Sequence, residues 1–293
     1  MLCACIDIGS NTTRVLVAEV LDGRLSEVMQ RRAFTRIGKG LKTDGAITPK
    51  KIAEVAAVVA EHRRIAEGLG AVPVRAVATA AIRGAANRDE FVAVLREQGG
   101  VEVTVLSGEE EARLAFLGAT RTLGQELGGE VAVVDVGGGS TELAVGTVPG
   151  GATWSESFRI GSGFLSDAYL RSDPPAAGEL HAMRQHAHGV FEGLALPRVD
   201  AAIAVGGSAA SLRRLVGAVL EPETLQRAIR VLSSAPCAEV AQRFGIDPER
   251  VGLLPAGLLV LDAASHALRS PLQIGRGGLR EGVLLELAAD GAR

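Results

Sequence analysis

Apolar residues gather in short runs near the start of the chain and again near its middle, and the two places share one order. LCACIDI (2–8) and TRVLVAEV (13–20) read as strands joined by GSNT, a turn-forming group of the kind that links hairpin partners. VAVVDVGGGSTELAVG (131–146) repeats the arrangement: apolar strand, Asp, apolar residue, Gly, small polar residues, apolar strand. Laid on one another, Asp7 matches Asp135, Gly9 matches Gly137, and residues 10–13 fall near 138–141. An internal duplication explains the match, because a unit of about half the chain is far too long for a solenoid repeat.

Between these hairpins the period changes. Residues 49–69 carry helical periodicity, 73–78 a strand, 87–98 a helix, 101–105 a strand and 108–121 a helix. In the second half AAIAVGG (201–207) reads as a strand meeting glycines, Ser208 as the cap of a helix beginning SAASLRRLVGAV, and LREGVLLELA as a closing helix. RSDPPAAGE (171–179) and SSAP (233–236) are loop-prone. The pattern is α/β, and without a long linker it predicts two closely packed lobes, residues 1–125 and 126–293, with a cleft between them. The boundary falls in TLGQELGGE (122–130).

Composition narrows the chemistry. With 293 residues, 47% of them hydrophobic and 22% charged, there is chain for two ordinary domains and no sign of disorder. Aromatics are only 3% and the net charge is −3, so base-stacking platforms and a general basic surface are both missing, and nucleic acid is not an expected partner. The start MLCACIDIGS lacks the pattern of a secretory leader, and no window approaches eighteen apolar residues, so the expectation is a cytoplasmic protein without membrane contact. Cys3, Cys5 and Cys237 lack CxxC spacing and read as small core residues. His181, His186 and His188 lack the i, i+4 spacing of a helical zinc pair.

The glycines of the second hairpin pose the chemical question. A GGGS turn can aim several N–H groups at an anion, or it can be a tight hairpin with no ligand. Two such turns, each preceded by an acidic residue at a strand end, favour the first reading. Carboxylates beside a phosphate need a cation between them, and Mg²⁺ bridges carboxylates to phosphate oxygens.

Six stretches carry a resemblance: IDIGSNTTRVLVAE (6–19), ATAAIRGAANRDEF (78–91), VLSGEEEARLAFLG (105–118), VVDVGGGSTEL (133–143), AVGGSAASL (204–212) and GGLREGVLLE (277–286). With these motifs in this order the chain resembles the Ppx/GppA family of exopolyphosphatases and guanosine pentaphosphate phosphohydrolases, within the sugar kinase, Hsp70 and actin superfamily. The resemblance implies two ribonuclease-H-like lobes with the active site in the cleft between them. It places the catalytic glutamate at Glu111, a carboxylate able to take a proton from water attacking a terminal phosphorus. From the residues alone, Glu109, Glu110 and Glu111 equally suit a helix start.

The resemblance further implies Mg²⁺ held by Asp135 and Glu142, with Asp7 as a third ligand. It implies backbone contacts to phosphate from Gly137, Gly138, Gly139 and Ser140 of one lobe and from Ser10 and Asn11 of the other. Arg83 corresponds to an arginine near the phosphates, where a planar fork stabilises spread charge. Gly206, Gly207 and Ser208 lie where kinases of this fold hold adenosine, although a chain substrate could run past them instead. The HD-type C-terminal region of longer relatives is expected to be absent, which lowers the expected hold on long polymers. The expected function is removal of terminal phosphates from inorganic polyphosphate of short to moderate length. The alternatives are 5′-phosphate hydrolysis of pppGpp and a non-hydrolytic nucleotide or polyphosphate sensor, and a homodimer is left open.

Overall fold

The computed structural model describes residues 1–40 and 44–291. The chain runs β1 (Leu2–Ile8), β2 (Thr13–Leu21), β3 (Arg24–Ala33), α1 (Pro49–Gly68), β4 (Val74–Ala78), α2 (Ala80–Arg83), α3 (Arg88–Val94), β5 (Val103–Val105) and α4 (Gly108–Thr122). It continues through β6 (Val131–Val136), β7 (Thr141–Thr147), β8 (Gly151–Phe158), α5 (Ser162–Tyr169), α6 (Ala177–Phe191), β9 (Ala201–Val205) and α7 (Gly206–Val216). The last elements are β10 (Val219–Leu220), α8 (Pro222–Ser233), α9 (Cys237–Phe244), α10 (Pro248–Val251), α11 (Leu254–Leu268), β11 (Leu272–Ile274) and α12 (Leu279–Asp290).

The duplication foreseen in the sequence is visible strand by strand. One sheet has the order β3-β2-β1-β4-β5 and the other β10-β11-β9-β6-β7-β8, so β3-β2-β1-β4 corresponds to β8-β7-β6-β9. In both, the first three strands are antiparallel neighbours and the fourth joins the first in parallel. The central strands are buried on both faces, which explains their nearly unbroken apolar runs. In β1, Ala4, Ile6 and Ile8 enter the core under α1, while Cys3 and Cys5 enter the opposite cluster with Leu284 of α12.

Two helices lie between the sheets. Ala112, Phe116 and Ala119 of α4 pack on Val131, Val133 and Ile203 of the second sheet. Val283 and Leu284 of α12 pack on Leu16 and Val77 of the first. The helices cross in backbone contact, because a Cβ on Gly118 would overlap the Gly278 carbonyl and a Cβ on Gly282 would overlap that of Leu114. Thus α12, which chain order puts in the 126–293 unit, packs on the first sheet, and α4 from the 1–125 unit packs on the second. Local periodicity carries no sign of this exchange.

Four elements differ from expectation. The helix expected over 87–98 is α3 followed by a π-turn at Leu95–Gly99. Ser208 is not a cap: α7 begins at Gly206, and Ser208 lies inside its first turn without a capping bond. The edge strands β3 and β8 went unforeseen because their exposed faces dilute the apolar alternation. Among the described residues, ion pairs that join the lobes include Arg32 to Asp247 at 3.2 Å, Lys39 to Asp167 at 3.2 Å, and Arg36 to Glu249.

Candidate active site

The two hairpin turns are built alike. Gly9 N–H donates to the Thr12 carbonyl and Gly137 N–H to the Ser140 carbonyl, both at 3.0 Å. They also face each other: a Cβ on Gly139 would fall 2.5 Å from Ser10 Oγ, and one on Gly138 would fall 3.1 Å from Asn11 Cβ. Between the lobes lies a cleft of about 690 Å³. Asp7, Ser10, Asn11, Asp135 and Glu142 line it together with Glu111, the Gly137–Ser140 turn and Gly207.

Two expected residues stand apart. Ser208 is fully buried with no hydrogen-bond partner for its hydroxyl among the described residues, and a Cβ on Gly257 of α11 would overlap that oxygen. The first turn of α7 directs this side chain into the helix packing, so Ser208 is not brought to the cleft. Arg83 is not among the described residues that line the cleft. Its Nη1 donates to Glu111 Oε2 and to the Leu106 carbonyl, each at 2.9 Å, so its charge is spent on the glutamate.

The geometry of α4 separates its three adjacent acids. Glu110 forms the capping box: its carboxylate accepts from Ser107 N–H at 2.8 Å, while its own N–H donates to Ser107 Oγ at 3.1 Å. Glu109 is exposed. Glu111, 7% exposed, turns into the cleft. Burial raises its pKa well above the ordinary carboxylate value and the charge of Glu142 adds to this, while Arg83 opposes both. Glu142 is itself buried and raised, by desolvation first and then by Asp135, although it accepts a hydrogen bond from Ser157 Oγ at 2.8 Å. Asp135 is pushed up to about 6 by burial and by Asp7, and burial raises Asp7 too, with Arg14 and Arg280 opposing.

These carboxylates bear on the metal. Among the described residues no three His, Cys, Asp or Glu side chains come together as a metal cage, so Asp7, Asp135 and Glu142 are not a preformed three-ligand set. The arrangement still fits Mg²⁺. That ion keeps several waters and uses one or two carboxylates plus substrate phosphates, and Asp135 is raised by burial and by Asp7 more than Arg14 and Arg280 lower it, an excess of negative charge that a cation would offset.

The cleft also carries cations beside the carboxylates, and these were not foreseen. Arg14 stands opposite Asp7 in the β1–β2 register, at the place where Glu142 stands opposite Asp135 in β6–β7. The duplication therefore conserves the backbone and inverts the charge, a signal that was present in the sequence alignment of the two hairpins. Arg250 comes from the four-residue helix α10, where no local pattern marks it. It is 5% exposed, and its Nε and Nη2 have no partner among the described residues. Burial, with Arg14 and Arg32 adding like charge, lowers it to about 9, so it remains a cation at neutral pH. Both Arg14 and Arg250 reach the backbone of Gly207, where an added Cβ would lie 2.6 Å from a nitrogen of each.

The comparisons with known proteins agree with this architecture. The family model described as the Ppx/GppA phosphatase family matches residues 16–290. Exopolyphosphatase 1 of Mycobacterium leprae is 30% identical, over 96% of this chain and 87% of its own length. Exopolyphosphatase 2 of Mycobacterium tuberculosis is 28% identical, over 97% and 98%. The crystal structure of the Aquifex aeolicus member of the Ppx/GppA family is 29% identical and superposes with a TM-score of 0.84, covering 100% of this chain and 99% of that one. No helix among the described residues is long and apolar enough to cross a membrane. Two ribonuclease-H-like lobes of the sugar kinase, Hsp70 and actin type are thus joined to a sequence match along nearly the whole chain, and this protein is a hydrolase belonging to the Ppx/GppA phosphatase family.

Proposed function

We propose that the chain is an exopolyphosphatase that hydrolyses the terminal phosphoanhydride bond of inorganic polyphosphate, of short to moderate length, and releases orthophosphate. The observation that carries this reading is the pair of arginines that line the cleft beside the carboxylates, buried Arg250 and half-buried Arg14. Among the described residues neither Arg14 nor Arg250 forms an ion pair with a carboxylate, although Asp7 and Asp135 lie near Arg14, and burial lowers the pKa of both, a costly state that a bound polyanion relieves. Exopolyphosphatases from two mycobacteria are among the relatives named above, which supports the same substrate. A cleft of about 690 Å³ accommodates a short run of phosphates. No Phe, Tyr or Trp is among the described residues lining it, so guanine would find no stacking platform, and polyphosphate is favoured over pppGpp. A buried glutamate facing the site has no use in a mere sensor.

In this reading Glu111 accepts a proton from the attacking water as its oxygen bonds to the terminal phosphorus. The bond from that phosphorus to the bridging oxygen breaks, and the shortened chain leaves with the bond's electron pair. Arg83 holds the Glu111 carboxylate through its 2.9 Å bond, and the backbone amides of the Gly137–Ser140 and Ser10–Asn11 turns meet the terminal phosphate oxygens. Arg14 and Arg250 hold the next phosphates. Asp135, with Asp7 and Glu142, would hold Mg²⁺, which would neutralise phosphate charge when bound.

The test is orthophosphate release with Mg²⁺ from tripolyphosphate, long polyphosphate, pppGpp and ATP in parallel. The reading requires a higher kcat/KM on tripolyphosphate than on long polyphosphate, pppGpp or ATP. A preference of about tenfold or more for pppGpp, equivalent to about 1.4 kcal/mol in the barrier, would transfer the assignment to pppGpp hydrolysis.

A further inference from the structure

The Gly137–Ser140 turn does not hold its shape alone. Behind it lies the N-terminus of α5, and the first donors of that helix are all directed at the turn. Ser162 N–H donates to the Gly137 carbonyl at 2.9 Å, and Ser162 Oγ donates to the same oxygen at 3.1 Å. Gly163 N–H and Phe164 N–H both donate to the Gly138 carbonyl at 2.9 Å. The end of a helix normally leaves such donors for a cap, water or an anion. Here two backbone oxygens take them.

That engagement fixes where the turn's own donors point. In a planar trans peptide the C=O of one residue and the N–H of the next project in opposite directions. Holding the Gly137 oxygen against α5 therefore aims Gly138 N–H away from it, and holding the Gly138 oxygen does the same for Gly139 N–H. Both glycines line the cleft, and neither N–H donates to a backbone group among the described residues. The α5 dipole and the turn's peptide dipoles are aligned head to tail, which carries positive potential to the cleft face.

The approach depends on a missing side chain. A Cβ on Gly161 would fall 2.6 Å from the Gly138 carbonyl carbon and 2.8 Å from Gly139 N, both backbone atoms that cannot rotate away. Ser162 touches the cleft but is only 2% exposed, and its hydroxyl is committed to the turn by the bond to the Gly137 carbonyl.

We infer that Gly161 and Ser162 are positioning residues for the phosphate-binding turn, orienting the Gly138 and Gly139 amides without themselves being the groups that carry out the reaction. The inference rests on the proposed reading for the identity of the bound group, a terminal phosphate. It extends the site to the IGSG segment at 160–163, which lies outside the motifs that carry the family resemblance.

The test uses the full chain with Mg²⁺ and tripolyphosphate. Ser162→Ala removes one of the two donors to Gly137 O, and kcat should fall about 3–10-fold with a smaller rise in KM. Gly161→Ala should lower kcat by about 100-fold, on the scale of losing an oxyanion donor. Gly178→Ala, where a Cβ meets nothing within 4 Å, is the silent control. A merely structural role would lower the unfolding midpoint and leave kcat per folded molecule unchanged. That result, or wild-type kcat in Ser162→Ala and Gly161→Ala, overturns the inference. Should wild-type protein release no orthophosphate, the substrate reading fails separately. Calorimetric binding of tripolyphosphate then decides, with weaker binding in both variants expected and equal binding overturning the positioning role.

Discussion

Replacing Arg83 by methionine should move the pH dependence of the enzyme rather than simply lower its rate. The Arg83 guanidinium, 26% exposed as a side chain, bonds a Glu111 carboxylate whose side chain is 9% exposed. Burial and Glu142 both push Glu111 toward the protonated form, and Arg83 is the principal opposing influence. A hydrogen bond to a charged group contributes about 1.5–3 kcal/mol, which at 1.36 kcal/mol per pH unit is about 1–2 units. The acid limb of kcat/KM against pH should therefore shift up by about 1–2 units in Arg83→Met, with activity returning at alkaline pH. Arg83→Lys, which keeps the charge but loses the fork, should lie between the two. Stability should follow with the sign set by linkage. Glu111 is raised in the folded state, so its contribution is full below the unfolded pKa and is lost as pH rises through the folded one. The variant, raised further, should be destabilised less at pH 5 than at pH 8. A uniform loss of rate at every pH, with the limb in place, would refute this and make Arg83 a contact to phosphate.

Two further outcomes concern charge in the cleft. In metal-free protein Asp135 is raised from 3.8 to about 6, so its contribution to stability is full below about pH 3.8 and is lost as pH rises through 6. Mg²⁺ should therefore raise the unfolding midpoint more at pH 8 than at pH 5, and an equal shift at both would count against a site at Asp135. Arg250→Leu should have opposite effects on folding and binding. Removing a buried cation that has no carboxylate partner among the described residues should raise the unfolding midpoint by about 2–4 °C, about 1 kcal/mol for a chain of this size, while KM for tripolyphosphate rises about 10–100-fold. A lower midpoint with unchanged KM would make Arg250 structural.

What the sequence revealed depended on how local the cause was. The hairpins, the Asp7 and Asp135 equivalence and the glycine turns rest on contiguous residues, and the structure repeats them down to matched 3.0 Å turn bonds. Arg14 is also legible in contiguous sequence, but as a difference between the repeats rather than a match, because the charge is inverted between Asp7–Arg14 and Asp135–Glu142. Arg250, the crossing of α4 and α12 and the support from α5 depend on segments far apart in the chain. No periodicity encodes them. Ser208 failed for a rotational reason: one step along the first turn of α7 separates Gly207, in the cleft, from a side chain buried under α11. The same rotation, acting in α4, distinguishes Glu111 from Glu109 and Glu110, which spacing alone left equivalent.

That distinction supplies the decisive measurement. Orthophosphate release from tripolyphosphate with Mg²⁺ is compared for wild type and for Glu109→Gln, Glu110→Gln and Glu111→Gln, alongside calorimetric binding. Glu110→Gln loses a capping carboxylate and should melt earlier, by the equivalent of about 0.5–2 kcal/mol, yet turn over normally. Glu109→Gln should resemble wild type. Glu111→Gln should lose about 10²–10⁴-fold in kcat while still binding tripolyphosphate, since the proton acceptor is gone and the arginines and turn amides remain. Near-wild-type turnover by Glu111→Gln would contradict the assignment of Glu111 as the base and with it the proposed mechanism.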